Sequence, residues 1–201
     1  MQPRMLRLAL LGLVAGALAA FVLLPQVRSN LMPRGSETAG KALVGGPFRL
    51  VDHTGKPVTD ADYRGRFMLV YFGYTFCPDV CPAGLQVISA ALDKLGPKAD
   101  RIVPLFITLD PERDTPAQMG EYVKSFNPRI VGLSGKPEDI ATVAKAYRVY
   151  WKKITDEKSP KDYTLDHTSI IYLMDPQGAF VRHFTHQTNV DQLVAELGKS
   201  L

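Results

Sequence analysis

The chain has 201 residues, 46% hydrophobic and 22% charged, which suits one ordinary domain with a buried core plus an extension and excludes a disordered chain. Its net charge of +4 does not belong to the domain: residues 1–36 carry Arg4, Arg7, Arg28 and Arg34 and no acid, and without those four the 24 basic residues fall to 20, against 20 acids. A neutral domain lacks the electrostatic footprint of phosphate binding, so nucleic acid is excluded as a partner.

The arginines flank an apolar run, Leu8–Leu24, of 17 uncharged residues. At helical rise this spans about 25 Å, slightly short of a hydrocarbon core of about 30 Å. Met5, Leu6 and a snorkelling Arg7 extend it. A cleaved signal peptide competes with an uncleaved anchor, because Ala17-Leu18-Ala19 offers small residues for cleavage. Phe21–Leu24 continues the apolar run past that point, so residues 1–25 read as one N-terminal transmembrane helix. Both readings export the rest of the chain, and Arg4 and Arg7 favour a cytoplasmic N-terminus. These arginines run straight into the helix with no Arg/Ser-rich amphipathic leader. That favours a single-pass protein of a bacterial inner membrane, its C-terminal domain in the periplasm, over a mitochondrial one. Residues 26–46, rich in Gly, Pro, Ser and Arg, read as a linker, and the domain is placed at residues 47–201.

Within the domain, Phe48–Val51 and Val58 flank the turn signal His53-Thr54-Gly55-Lys56, which predicts a β-hairpin. Phe67–Tyr71 is a continuous apolar run, as in a strand buried on both faces. Pro82–Leu95 places Leu85, Ile88, Leu92 and Leu95 at spacings of 3, 4 and 3, an amphipathic helix with Pro82 in its first turn. Ile102–Leu109 predicts a strand, and Thr115-Pro116 opens a helix to about Phe126 with Asp114 or Thr115 as cap. Ile130–Leu133 is a short strand, Pro137–Tyr147 a helix and Val149–Ile154 extended chain. The polar stretch Asp156–Leu165 reads as loop, with His167 in the loop that follows. Ser169–Met174 and Phe180–Thr185 form a hairpin about Asp175-Pro176-Gln177-Gly178, and Asn189–Gly198 is a closing helix. The order is that of an α/β protein with a thioredoxin-like mixed central sheet flanked by helices.

Two cysteines, Cys77 and Cys81, stand together in Gly73-Tyr-Thr-Phe-Cys-Pro-Asp-Val-Cys-Pro82, where the first central strand meets a helix. A single close pair in an exported protein points to redox or metal chemistry at that pair. Residues four apart on a helical turn face the same side, with Cα atoms about 6 Å apart, so the sulfurs can meet each other as a disulfide or meet one ion. Amides at a helix N-terminus lower a thiol pKa, and thiolate is the form that binds metal. Two soft thiolates favour Cu(I), with an imidazole completing a three-coordinate site; added oxygen donors would admit Cu(II).

Four histidines compete for that place. His53 lies in the first hairpin turn, where solvation is expected, and His183 and His186 fall on opposite faces of an extended segment. His167 precedes a strand, where a histidine taken alone is more often structural. Asp166 beside it is a candidate to orient the ring, or points away. Asp110-Pro-Glu-Arg-Asp114 with Glu121 superficially follows a calcium loop, but Thr115 replaces the turn glycine and Pro111 stiffens the start. A strand-to-helix loop with an acidic cap near the site fits better. Asp79 reads as a cap or solvated residue, Tyr147 and Trp151 as core or partner-surface aromatics, and Tyr71, Phe72, Tyr74 and Phe76 as partly core and partly a shield for the site.

Three segments, Gly73–Pro82, Ile107–Pro116 and Asp166–Gly178, resemble the Sco/SenC family of copper chaperones, over nearly the whole exported domain. The resemblance implies a thioredoxin-like fold and copper held by Cys77, Cys81 and His167. It further implies a role in assembling the binuclear copper site of cytochrome c oxidase subunit II. A periplasmic thiol reductant or another copper chaperone is then a second partner, because the thiols must be reduced to accept copper. The alternative is a thiol–disulfide oxidoreductase in which Cys77 and Cys81 are the redox pair that reduces the cysteines of the copper-receiving partner. A peroxiredoxin-type peroxidase fits less well, since Thr75 stands two rather than three residues before Cys77.

Overall fold

Seven strands form the central sheet of the computed structural model, which describes residues 43–156 and 159–201. In chain order the strands and helices are β1 (Arg49–Asp52), β2 (Pro57–Thr59), β3 (Phe67–Gly73), α1 (Val80–Leu95), β4 (Ile102–Thr108), α2 (Pro116–Val123), β5 (Val131–Ser134), α3 (Pro137–Ala146), β6 (Trp151–Asp156), β7 (Ser159–His167), β8 (Ile170–Met174), β9 (Phe180–Thr185) and α4 (Val190–Ser200). The sheet order is β2-β1-β5-β4-β3-β8-β9. β3, β4 and β5 are parallel, and the hairpins at either side pair antiparallel.

Every residue of β3 and β4 is buried, as the apolar runs required. Alternation along β3 divides the core in two. Phe67, Leu69 and Tyr71 pack with Leu85, Ile88 and Leu92 of α1 and with Leu193 and Leu197 of α4. Met68, Val70 and Phe72 pack with Ile140, Val143 and Ala144 of α3 on the opposite face. A Cβ at Gly84 of α1 would lie 2.8 Å from the Tyr71 hydroxyl, so the small residue lets the helix lie close on β3. This is the thioredoxin-like sandwich of helix, sheet and helix.

Several element bounds differ by a residue or two from the sequence expectations, and three differences stand out. α1 starts at Val80, two residues early, so Cys81 is already helical. α2 ends at Val123 rather than Phe126, and Ser125 and Phe126 donate N–H bonds three residues back, in the tighter turn common at helix ends. The polar stretch after Asp156 is strand rather than loop: β7 pairs antiparallel with β6 in a separate two-stranded sheet. His167 therefore closes a strand, opposite Trp151, rather than occupying a loop.

The compact unit runs from Leu43 to Leu201. Gly45 donates its N–H to the Ala146 carbonyl at 2.9 Å, and Arg148 Nε donates to the Leu43 carbonyl at 2.9 Å. The transmembrane helix expected at residues 1–25 lies outside the described residues. Among those described, no helix is long and apolar enough to cross a membrane.

Candidate metal centre

β3 runs out at Gly73, and the chain turns before α1 begins. Cys77 closes that turn, donating its N–H to the Tyr74 carbonyl at 3.2 Å, while Asp79 takes the N-cap position of α1 without a side-chain cap bond. Cys81, on the first turn of the helix, donates its N–H to Cys77 Sγ at 3.4 Å. A thiolate at Cys77 thus receives a helix N-terminal amide, the placement that favours negative sulfur. Both cysteines are unbridged, Cys77 8% exposed and Cys81 wholly buried.

Cys81 is wedged against the end of the sheet. A Cβ on Gly73 would come within 2.7 Å of its Sγ and 2.8 Å of Phe106, so glycine is needed there for room. His167 arrives from β7. Its Nε2 lies 3.5 Å from Cys81 Sγ, and its Nδ1 lies 3.1 Å from the Thr168 carbonyl oxygen. One ring nitrogen thus faces that carbonyl and the other faces the thiols. The ring meets Tyr74 edge-on at 5.8 Å. The two sulfurs and one histidine nitrogen all lie within 4.8 Å of one another. Two sulfurs and an imidazole are a soft donor set, and their spacing fits a single ion.

The two thiols are split in proton affinity. Cys77 is held down to about 4, first by a hydrogen bond from the Cys81 thiol, then by His167 and by the backbone amides of Asp79 and Cys81, against the opposing effect of burial. Cys81, the donor of that bond, is pushed up by it, by burial and by the neighbouring negative charge. The pair therefore loses its protons in two well separated steps.

The loop before Cys77 is anchored by a buried carboxylate. Asp114 accepts from the Thr75 N–H at 2.9 Å, the Thr75 hydroxyl at 2.6 Å and the Thr108 hydroxyl at 2.6 Å. Burial raises its pKa while these bonds lower it. The acidic run that imitated a calcium loop thus ties the end of β4 to the cysteine turn, and Thr115 caps α2 by accepting from the Gln118 N–H. Beside it, Arg113 stacks on Tyr163 and Phe76.

The other three histidines and Asp166 are not members of this cluster. His53 is half-buried rather than solvated: its Nδ1 accepts the Gly132 N–H at 3.2 Å. His183 stacks on Phe180, and His186 is exposed past β9. Asp166 is exposed, and the Thr168 carbonyl takes the ring-orienting place considered for it. Tyr71, Phe72, Tyr74 and Tyr147 are buried, whereas Phe76 is 54% exposed beside Cys77. The sequence marks neither the anchoring role of Asp114 nor the parts played by Tyr163 and Arg113. The alternation of Tyr163, Leu165 and His167 was the available signal.

The chain is similar to known proteins. The SCO1/SenC family model matches residues 36–201. The structure of Bradyrhizobium japonicum ScoI with copper bound superposes with a TM-score of 0.73 at 49% identity, covering 79% of this chain and 99% of that one. Protein SCO1 homolog 1, mitochondrial, of Arabidopsis thaliana is 42% identical over 175 residues, 87% of this chain and 52% of that protein. The human mitochondrial SCO1 homolog is 43% identical over 160 residues, 79% of this chain and 53% of that protein. The chain thus spans about half the length of these two relatives.

Proposed function

Because this chain belongs to the SCO1/SenC family, we propose that it is a copper chaperone whose cargo, Cu(I), is held by Cys77, Cys81 and His167. The observation that carries this reading is the convergence of two sulfurs and one histidine nitrogen within 4.8 Å. A relative nearly half identical has been solved with copper bound. The soft donor set favours Cu(I), and Cu(II) would need further oxygen donors. The recipient, on the family resemblance, is the binuclear copper site of cytochrome c oxidase subunit II. Residues 1–25 anchor the chain in a bacterial inner membrane, and the part of the expected linker that precedes Leu43, where the compact unit begins, lets the domain reach its partner in the periplasm. A periplasmic dithiol keeps the pair reduced.

The test is anaerobic titration of the reduced full-length chain with Cu(I), followed by X-ray absorption. Two sulfur scatterers and one nitrogen scatterer per copper are expected. His167→Ala should lose the nitrogen scatterer and release copper to a competing chelator, while disulfide exchange continues. Copper retention equal to wild type in His167→Ala would show the ligand set to be wrong.

A second reading, thiol–disulfide oxidoreductase, draws on the split proton affinities. Cys77 thiolate attacks one sulfur of a partner disulfide and expels the other as thiolate. Cys81 then loses its proton and attacks the mixed disulfide, leaving Cys77–Cys81 oxidised and the partner dithiol reduced. Three-coordinate copper needs His167, and this exchange does not, so the same variant separates the two.

A further inference from the structure

The β6–β7 hairpin is a two-stranded sheet separate from the central one, and His167 is its last paired residue. Two strands alone are marginal in water, so contacts with the body must fix where the hairpin sits. Side chains alternate along a strand, which puts Tyr163, Leu165 and His167 on one face. Each of the three residues meets the body at a different point. His167 meets Cys81, and the Leu165 N–H donates to the Tyr74 hydroxyl at 3.2 Å.

Tyr163 makes the most elaborate contact of the three. The guanidinium carbon of Arg113 lies 3.7 Å from the centre of the Tyr163 ring and 4.6 Å from that of Phe76, the residue before Cys77. Arg113 Nε donates to Asp110 Oδ2 at 2.5 Å, and its Nη1 donates to the Tyr163 carbonyl at 3.1 Å. The Tyr163 hydroxyl donates to Asp110 Oδ1 at 2.7 Å, and the Asp110 side chain is fully buried. One guanidinium thus touches the cysteine loop, the turn after β4 and the strand that ends in His167.

We infer that Arg113 is a positioning residue for the third ligand: it pins the hairpin to the cysteine loop and so sets the distance from His167 to the two thiols. The inference rests on the reading of His167 as a ligand. A guanidinium suits the task because it has flat faces for aromatic rings and edges that donate at fixed angles. Lysine would keep a positive charge beside Asp110 but offers no flat face and no fork. Lysine is therefore the informative substitution, since it separates clamping from charge neutralisation and avoids leaving Asp110 buried without a cation.

The test compares full-length wild type with Arg113→Lys and Tyr163→Leu, the latter removing the stack from the hairpin side. Hydrogen exchange is followed by mass spectrometry, and Cu(I) retention by chelator competition with X-ray absorption. Both variants should exchange faster in residues 151–167 than wild type, with β3 and β4 unchanged. Cu(I) retention should fall about tenfold, as for other residues that orient a ligand, with a weakened nitrogen scatterer. Wild-type exchange in the hairpin of Arg113→Lys would overturn the inference. So would a loosened hairpin with wild-type copper retention, provided His167→Ala is defective. If His167→Ala is also silent, the ligand reading has failed, and with it the inference that rests on it.

Discussion

The reaction of Cys77 with a small disulfide reagent should be nearly independent of pH between about 5 and 8. Its pKa of about 4 leaves it almost fully thiolate at pH 6, where an ordinary thiol near 8.5 is only about 0.3% ionised. The gain in thiolate is about 300-fold. A less basic thiolate is also a poorer nucleophile, and a Brønsted slope of about 0.4–0.5 over about 4.5 units removes about 60- to 180-fold. The net acceleration is only about two- to fivefold, and the low exposure of Cys77 reduces it further. Absolute rate is therefore a poor test, and the shape of the pH profile is a good one.

The assay is the initial rate of mixed-disulfide formation, followed by leaving-group absorbance from pH 4 to 9. An ordinary thiol would accelerate about tenfold per unit from pH 6 to 8, whereas Cys77 should stay level until the pH falls toward 4. The largest cause of the low value is the hydrogen bond from Cys81. Cys81→Ala removes that donor, and the inflection should move upward, since His167 and the two backbone amides remain. A tenfold rise per unit in the wild type would refute the assignment of Cys77 as the standing thiolate. An unmoved inflection in Cys81→Ala would refute Cys81 as its cause.

Two substitutions test the packing around the pair. Gly73→Ala sets a methyl 2.7 Å from Cys81 Sγ in a strand paired on both sides, so urea unfolding should show a loss of about 1–3 kcal/mol, and Cu(I) retention should weaken as the sulfur is displaced. Asp114→Ala removes the acceptor of three hydrogen bonds, one buried and two partly buried, and should lose about 3 kcal/mol or more, against about 1 kcal/mol for Thr75→Val, which removes one of them. Equal losses in these two variants would contradict the anchoring role of the carboxylate.

The sequence made the cysteine turn legible because its determinants are local. An apolar run ends at Gly73, an amphipathic spacing of 3, 4 and 3 follows, and the cysteines sit between them. The closing hairpin announced itself through Asp175-Pro176-Gln177-Gly178 in the same way. β7 did not, because one face of a two-stranded sheet is solvated, and its apolar signal shrinks to alternate residues in a charged stretch. Nor did Asp114, whose donors include Thr75, 39 residues away. A buried carboxylate satisfied by the tertiary fold leaves no periodic mark. The half-buried place of His53 escapes the local pattern for the same reason, since the amide that binds its ring belongs to Gly132.

The split between the thiols also fixes how many protons they must give up on loading. A site built from two ordinary thiols would release two protons near neutral pH when both bind a soft ion as thiolates. Here the hydrogen bond between the sulfurs already holds Cys77 deprotonated and keeps the proton on Cys81. Loading at pH 7.5 should therefore release close to one proton per copper from the thiols. Calorimetric titration in buffers of different ionisation enthalpy counts it directly. Cys81→Ala lacks the sulfur that carries the proton, so it should release only the fraction of a proton that Cys77 regains without its hydrogen-bond donor. Two protons per copper from the wild-type thiols would mean that Cys77 holds its proton until the metal arrives, and that the helix N-terminus and Cys81 do not prepare the site.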